Sequence, residues 1–307
     1  MPVPSRMLDD CRLCPRHCGV NRQSGSLGYC GIDDRIPIAS ICIHRGEEPV
    51  ISGERGICNV FFSHCNLQCR FCQNSQISDN HRPPEYWSIH RTVLRIEHLL
   101  GQGIDNLGFV SPSHVIPQMV RIIEALQHRG HVPTVVYNSS GYDCAETLKE
   151  IEGLVDVYLP DLKYADHQLA EKASGAPDYP ETARSALKEM FRQMNGPRLE
   201  LDSSGLARHG MIIRHLVLPG YPENSIACLD WIAQELSRDI HISLMSQYHP
   251  TKAVLNTPPF DRPVSEEEYN RVCLHLEELG FENGWIQELE SSRHYQPDFD
   301  RDHPFEP

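Results

Sequence analysis

Six short runs of apolar and β-branched residues recur along the chain, and stretches of helical periodicity separate them. The runs show little alternation between apolar and polar positions, which is typical of strands that are buried on both faces of a parallel sheet. The predicted strands are Ile57–Ser63, Asn106–Ser111, Thr134–Ser139, Val157–Asp161, Ile212–Leu218 and His241–Gln247.

The segments between these runs carry apolar stripes at helical spacing. Arg91–Leu100, Gln118–Leu126 and Ile226–Leu236 are predicted helices, and Ser265 before three glutamates predicts the start of a last helix. This alternation of strands and helices predicts an α/β fold, with a parallel sheet joined by right-handed crossovers.

Composition and charge exclude several classes of protein. The 307 residues are 40% hydrophobic and 23% charged, which indicates a globular chain rather than a disordered one. No apolar run approaches the roughly 20 residues that span a bilayer, and the first residues lack the apolar core of a secretion signal. The net charge of −14 argues against broad nucleic-acid binding. We therefore expect a cytoplasmic protein with neither a membrane nor a nucleic acid as a partner.

Twelve cysteines are many for such a chain, and seven of them fall into two clusters. One cluster, Cys65-x3-Cys69-x2-Cys72, directly follows the first predicted strand. Three thiolates in one loop can hold three corners of a [4Fe–4S] cluster, which normally takes four cysteines, so one iron would stay open to an outside ligand. The alternative is a zinc loop with a distant fourth ligand, although zinc sites favour paired Cys-x2-Cys units.

This motif, with the aromatic Phe71 directly before its last cysteine, resembles the radical SAM superfamily. In that superfamily the open iron binds S-adenosylmethionine (SAM), one electron from the cluster cleaves it, and the 5′-deoxyadenosyl radical abstracts a hydrogen atom from the substrate. The resemblance implies a [4Fe–4S] cluster and SAM as cofactors. It also implies a partial (β/α)6 barrel of the TIM type, with function at the carboxyl ends of the strands.

Motifs at the ends of the later strands resemble the glycyl-radical activating enzymes, best known from pyruvate formate-lyase activase. That family has Asp-Leu-Lys on its fourth strand, Arg-x-x-Val-x-Pro-Gly on its fifth and Tyr-His on its sixth. The matching residues, each implied to contact SAM, are Asp161, Lys163, Arg214 and His249. Ser139 stands at the family's threonine in the loop after the third strand.

The second predicted strand supplies two further candidates for the SAM site. Many relatives have a Gly-Gly-Glu motif here, whose backbone meets the SAM amino group. This sequence departs from that motif, and Gly108 and Ser111 are the candidates at this place; Phe71 completes the predicted cofactor contacts. For Asp161 and Lys163 a structural ion pair remains an alternative, because residues two apart on a strand point to one face.

The second cluster, Cys11-x2-Cys14-x3-Cys18-x11-Cys30, lies before the first predicted strand. Four thiolates would complete a structural zinc site or a second, fully ligated [4Fe–4S] cluster, and a segment without metal is the third alternative. The spacing does not decide among these. A closed cluster at this place could relay electrons to the open one.

The sequence predicts three regions: a cysteine-rich leader over residues 1–56, the barrel over 57–283 and a C-terminal extension over 284–307 that could cap the barrel mouth. In the leader, His44, Glu47 and Glu48 either line the substrate mouth or form a solvated turn. The leader and the Cys72-Gln-Asn sequence resemble proteins labelled as pyruvate formate-lyase activase-like.

Three functions are compatible with these features. The first is an activating-enzyme-like radical SAM oxidoreductase or lyase that acts on a small molecule or a peptide. The second is an activase that removes hydrogen from a glycine of a partner protein. The third is a non-catalytic iron–sulfur protein, which would bind a cluster and never cleave SAM. Either enzyme needs a low-potential electron donor such as flavodoxin or ferredoxin.

Overall fold

The computed structural model describes residues 5–289, 297–301 and 303–305. Its strands are β1 Ile36–His44, β2 Ile57–Phe62, β3 Tyr86–Trp87, β4 Asn106–Val110, β5 Thr134–Ser139, β6 Val157–Pro160, β7 Glu200–Leu201, β8 Ala207–Leu216, β9 His241–Met245 and β10 Gly284–Ile286. Its helices are α1 Pro49–Ser52, α2 Ser75–Ser78, α3 Ile89–Leu100, α4 Ile116–His128, α5 Ala145–Lys149, α6 His167–Ser174, α7 Tyr179–Gln193, α8 Pro222–Glu235 and α9 Glu266–Glu278.

The strands form one open sheet in the order β10-β9-β8-β6-β5-β4-β2-β1-β3, and β7 pairs with β8 outside this path. Every neighbouring pair from β10 to β2 is parallel. On the other side of β2, strand β1 is antiparallel. Among the described residues the sheet does not close on itself, so the predicted α/β partial barrel is confirmed.

All six predicted strands are present. They could be predicted because a strand buried on both faces is a continuous apolar run in the sequence. In β2, all six residues are buried. The fifth predicted strand begins earlier than expected, at Ala207 rather than Ile212. The leader and the C-terminal extension also contribute strands: β1 pairs with β2, and β10 pairs with β9.

The predicted helices are also confirmed, with ends defined by their caps. Ser88 accepts a hydrogen bond from the backbone N–H of Arg91 and begins α3 two residues before the predicted start. Ser265 and Glu268 form a reciprocal capping box at the start of α9. Within the described residues, no helix is both long enough and apolar enough to cross a membrane.

Candidate functional site

A cavity of about 390 Å³ opens where the parallel strands reach their carboxyl ends. Its volume lies in the range of small-ligand pockets. Most of the residues predicted from the sequence contribute to its wall, namely Cys65, Cys69, Phe71, Cys72, Ser111, Ser139, Asp161, Lys163 and Arg214. The fold therefore brings together side chains from five strand ends that lie far apart in the sequence.

The loop of residues 65–72, here called the cysteine loop, leaves β2 through a tightly defined backbone. His64 and Gln68 have left-handed backbone conformations, with φ of 69° and 60°, and such conformations in non-glycine residues persist only where the surroundings hold them. Asn80 holds this loop: its side-chain oxygen accepts from Cys65 N–H at 3.0 Å, and its amide donates to Cys65 O at 3.0 Å.

The thiols of the cysteine loop fit a metal-bound state. The N–H of Leu67 lies 3.4 Å from Cys65 Sγ, and the hydroxyl of Ser78 lies 3.3 Å from Cys72 Sγ; such donors stabilise cluster-bound sulfur. Burial raises the pKa of Cys65 to about 12, so iron binding must displace a proton from this thiol.

Within residues 5–289 and the described tail, no three acidic, cysteine or histidine side chains are gathered closely enough to hold a single metal ion. A cubic cluster has a different requirement, because each cysteine binds a different iron atom. Three cavity-lining thiols on one loop are compatible with that arrangement.

Asp161 and Lys163 lie beside the cysteine loop at the end of β6. Their side chains form an ion pair and are 17% and 15% exposed. Burial disfavours the Lys163 ammonium, but Asp161, Cys69 and Cys72 outweigh it and raise the pKa of Lys163. The site therefore holds a fixed cation next to two of the thiols.

Ser139 is held by a buried network below the cavity. Its hydroxyl donates to Asp143 Oδ2 at 2.6 Å, and Tyr137 donates to the other oxygen of Asp143 at 2.7 Å. Ser111 has a left-handed backbone, with φ of 53°, and its N–H donates to Asn138 O. These contacts direct the Ser139 hydroxyl at Asp143 and fix the backbone of Ser111, and both residues belong to the cavity wall.

Arg214 is enclosed by two acidic residues of the leader. Its Nε lies 2.8 Å from Glu48 Oε1 and its Nη2 lies 2.6 Å from Glu48 Oε2, while Nη2 also binds Glu47. Glu47 further accepts from Asn59 Nδ2 at 2.8 Å and contacts His44 Nδ1 at 3.1 Å. Burial disfavours the Glu47 carboxylate, but Arg214 and His44 outweigh it and lower the pKa of Glu47.

The leader segment thus lines the cavity rather than forming a solvated turn. His44, Glu47 and Glu48 all belong to the cavity wall. Sequence motifs assign Arg214 to SAM, whereas in the structure its Nε and Nη2 are directed at Glu47 and Glu48. No local sequence pattern indicates this pairing, because more than 160 residues separate the partners.

Two predicted residues lie outside the cavity wall. Gly108 packs behind it: a Cβ at this position would lie 2.0 Å from Asn59 Oδ1, so the glycine makes room for the side chain that binds Glu47.

His249, the other predicted residue outside the wall, is exposed. Gln247, two residues earlier on the same segment, lines the cavity instead. Phe71 packs against Tyr248, with ring centroids 5.5 Å apart.

The C-terminal part of the chain adds wall residues that motif matching did not identify. Trp285, Gln287, Pro297 and Phe305 line the cavity. The Phe305 ring stacks on His44, with centroids 3.9 Å apart. The expectation that residues after Gly284 reach the barrel mouth therefore applies to these four residues; residues 290–296 lie outside the described part of the chain.

Comparison with known proteins supports the fold. No family model matches the chain. It is 27% identical over 282 residues to the uncharacterized protein MJ0674 of Methanocaldococcus jannaschii, which covers 88% of this chain and 75% of the relative. Among solved structures, HydG, a maturase of the [FeFe]-hydrogenase, matches 80% of this chain with a TM-score of 0.53 and 14% identity.

A second solved structure, methylornithine synthase (PylB), matches 71% of this chain with a TM-score of 0.46 and 15% identity. The chain spans 56% of the length of HydG and 62% of that of PylB. The likeness to HydG shows that the partial barrel is shared with a known enzyme structure.

Proposed function

We propose that this protein is a radical SAM enzyme that acts on a small molecule or a short peptide. The observation that carries the proposal is the position of Cys65, Cys69 and Cys72, which line one cavity together with Asp161 and Lys163 at the carboxyl ends of parallel strands. The fold shared with HydG also supports the proposal of a radical SAM enzyme.

In this proposal, the three thiols hold a [4Fe–4S] cluster and the strand-end polar groups hold SAM. The cluster and SAM, when bound, supply the one-electron cleavage and the radical that removes hydrogen from the substrate. Lys163 presents its ammonium to a carboxylate, Asp161 presents its carboxylate to a cationic group, and Ser111 offers a hydroxyl. Ser139 shapes the wall through its hydrogen bond to Asp143. Arg214 acts by holding Glu47 and Glu48 at the wall.

The composition of the cavity mouth favours a small substrate over the loop of a folded protein. Trp285, Pro297 and Phe305 of the C-terminal extension lie in the wall, and the aromatic ring of Phe305 covers His44. These side chains narrow the access that a protein loop would need.

The test is the formation of 5′-deoxyadenosine by anaerobically reconstituted, chemically reduced protein supplied with SAM. Cys65→Ala, Cys69→Ala and Cys72→Ala should each abolish product, whereas Cys228→Ala, a buried cysteine of α8 outside the cavity, should retain it. Product from any of the three loop variants would contradict the assignment.

Cell extract separated by size distinguishes the kinds of substrate. Stimulation of SAM cleavage by the low-molecular-mass filtrate supports a small substrate. Stimulation by the retained protein fraction alone would favour the activase. An intact cluster with no cleavage under any condition would favour a non-catalytic iron–sulfur protein.

A further inference from the structure

The four cysteines of the leader lie outside the cavity wall, on a compact segment held by its own backbone hydrogen bonds. Cys11, Cys14 and Cys30 are buried and Cys18 is half-buried. Tyr29 N–H lies 3.2 Å from Cys18 Sγ. Cys11 N–H donates to Val20 O at 3.0 Å, and Gly19 N–H donates to Cys11 O at 3.0 Å, so Cys11 lies beside the residues that follow Cys18. These contacts place Cys11, Cys18 and Cys30 on neighbouring turns of the leader, and Cys14 follows Cys11 by three residues.

A buried cation lies beside the thiol of Cys11. Arg22 is 1% exposed. Its Nη2 donates to Asp33 O at 2.8 Å and its Nη1 donates to His114 O at 2.7 Å, while Nη1 also lies 3.9 Å from Cys11 Sγ. These carbonyl groups accept the hydrogen bonds of the Arg22 guanidinium but carry no net charge to balance it.

The carboxylate nearest in sequence is engaged elsewhere, since Asp33 pairs with Arg35 at 2.6 Å. Within the described part of the chain, Arg22 forms no ion pair with a carboxylate. The Asp33 carboxylate acts on Arg22 only from beyond ion-pair distance, and a buried charge without a paired counter-charge is costly. A centre bound by four thiolates carries net negative charge beside Cys11, and it would compensate Arg22.

The backbone of the leader is also hydrogen-bonded to residues that hold the cysteine loop. Cys30 O lies 2.7 Å from His64 Nδ1, and His64 is the residue directly before Cys65. Asn80 donates to Tyr29 O and to Cys65 O, each at 3.0 Å. One hydrogen bond and a short stretch of covalent chain thus separate a leader cysteine from a cysteine of the cavity.

Spacing favours a cluster over a single ion. Zinc–sulfur bonds of about 2.3 Å in a tetrahedral site require sulfurs roughly 3.8 Å apart. No three thiols in the described residues are grouped at single-ion spacing, and this holds for the leader cysteines as it does for the cysteine loop. A cubic cluster accepts more widely separated thiols, because each binds its own iron atom.

We infer that Cys11, Cys14, Cys18 and Cys30 bind a second, fully ligated iron–sulfur cluster, which Arg22 compensates and which passes electrons to the cluster of the cysteine loop. The site itself is independent of the proposed function, and only the electron transfer rests on it. One electron from an external low-potential one-electron donor reduces the leader cluster. The same electron then reduces the loop cluster, and the leader cluster returns to its starting charge without gain or loss of a proton.

Metal and sulfide content of the full-length protein tests the site without relying on activity. Anaerobically purified protein should contain about eight iron and eight sulfide per chain, from two [4Fe–4S] clusters. The Cys65/Cys69/Cys72→Ala variant should keep about half of each, and Cys11→Ser/Cys30→Ser should keep the other half; Cys273→Ser in α9 is the control. One zinc per chain in the loop variant, or no metal at all, would overturn the inference.

The midpoint potential of the leader cluster tests the role of Arg22 separately. In the loop variant, where the leader cluster is observed alone, Arg22→Gln should lower the midpoint potential, because the reduced cluster loses a neighbouring positive charge. Arg22→Lys should restore most of the shift. An unchanged potential in folded Arg22→Gln protein would show that the guanidinium does not compensate the centre.

Electron transfer is tested by comparing reductants. With a reduced flavodoxin or ferredoxin as donor, Cys11→Ser/Cys30→Ser should slow SAM cleavage at least tenfold, whereas with dithionite it should retain cleavage. Equal rates with the protein donor would refute the transfer. Two intact clusters without cleavage even with dithionite would instead refute the proposed function and leave the second site standing.

Discussion

Replacing Arg214 by methionine removes the charge that holds two leader carboxylates against the sheet. The side chains of Arg214, Glu47 and Glu48 are 12%, 7% and 5% exposed. Methionine fills a similar volume but leaves two buried carboxylates without their cation. Removing one partner of a buried ion pair costs about 3–5 kcal/mol.

The expected change in melting temperature follows from the size of the chain. At about 2.1 cal/mol/K per residue, the unfolding entropy of 307 residues is about 0.65 kcal/mol/K. A loss of about 3–5 kcal/mol therefore corresponds to a decrease in Tm of roughly 5–8 °C.

Circular dichroism during thermal unfolding of metal-free, reduced protein near neutral pH measures this shift. Arg55→Met is the matched control, because Arg55 forms an exposed ion pair with Asp105 at 3.1 Å and such pairs contribute little. Exchanging both glutamates for glutamine in the Arg214→Met background should recover most of the loss, since no buried charge then remains unpaired. A Tm of Arg214→Met within about 2 °C of the Arg55→Met control would refute this reasoning.

Three other substitutions test separate parts of the account. Gly108→Ala places a methyl group 2.0 Å from Asn59 Oδ1 and should cost about 1–3 kcal/mol by overpacking; a parental Tm would contradict this. Lys163→Met should weaken SAM binding roughly 10- to 150-fold in equilibrium titrations, as a lost charged hydrogen bond of about 1.5–3 kcal/mol requires, with iron content unchanged; parental affinity would make Lys163 structural. The pKa of Glu47 is lowered from 4.5 in the folded protein. Its carboxylate therefore stabilises the fold fully at pH values above 4.5, and this stabilisation is lost as the pH falls from there through the folded pKa. The Tm difference between the parent and Glu47→Gln should therefore shrink below about pH 4.5, and a difference independent of pH would count against this role.

The strands and the cysteine loop were predictable because their signals are local. A strand buried on both faces is a continuous apolar run, as β2 and β4 show. The cysteine loop is defined by the spacing of three residues, and the structure places all three in one cavity wall.

Long-range pairing could not be read from the sequence. The contacts of Arg214 depend on β8 meeting a turn of the leader across the sheet, and no local pattern encodes that approach. Strand β10 has only three residues, two of them exposed, so it lacks the apolar run that identifies a strand. Motif matching likewise selected the exposed His249, whereas the chain directs Gln247 into the wall.

Electron paramagnetic resonance of the reduced protein tests the central claim most directly. The claim is that the cluster held by Cys65, Cys69 and Cys72 has one open iron in the same cavity that binds SAM. In the Cys11→Ser/Cys30→Ser variant, which isolates the loop cluster, saturating SAM should change the spectrum of the reduced cluster, and S-adenosylhomocysteine serves as a control without the sulfonium. A reduced cluster whose spectrum is the same with and without SAM would contradict the account.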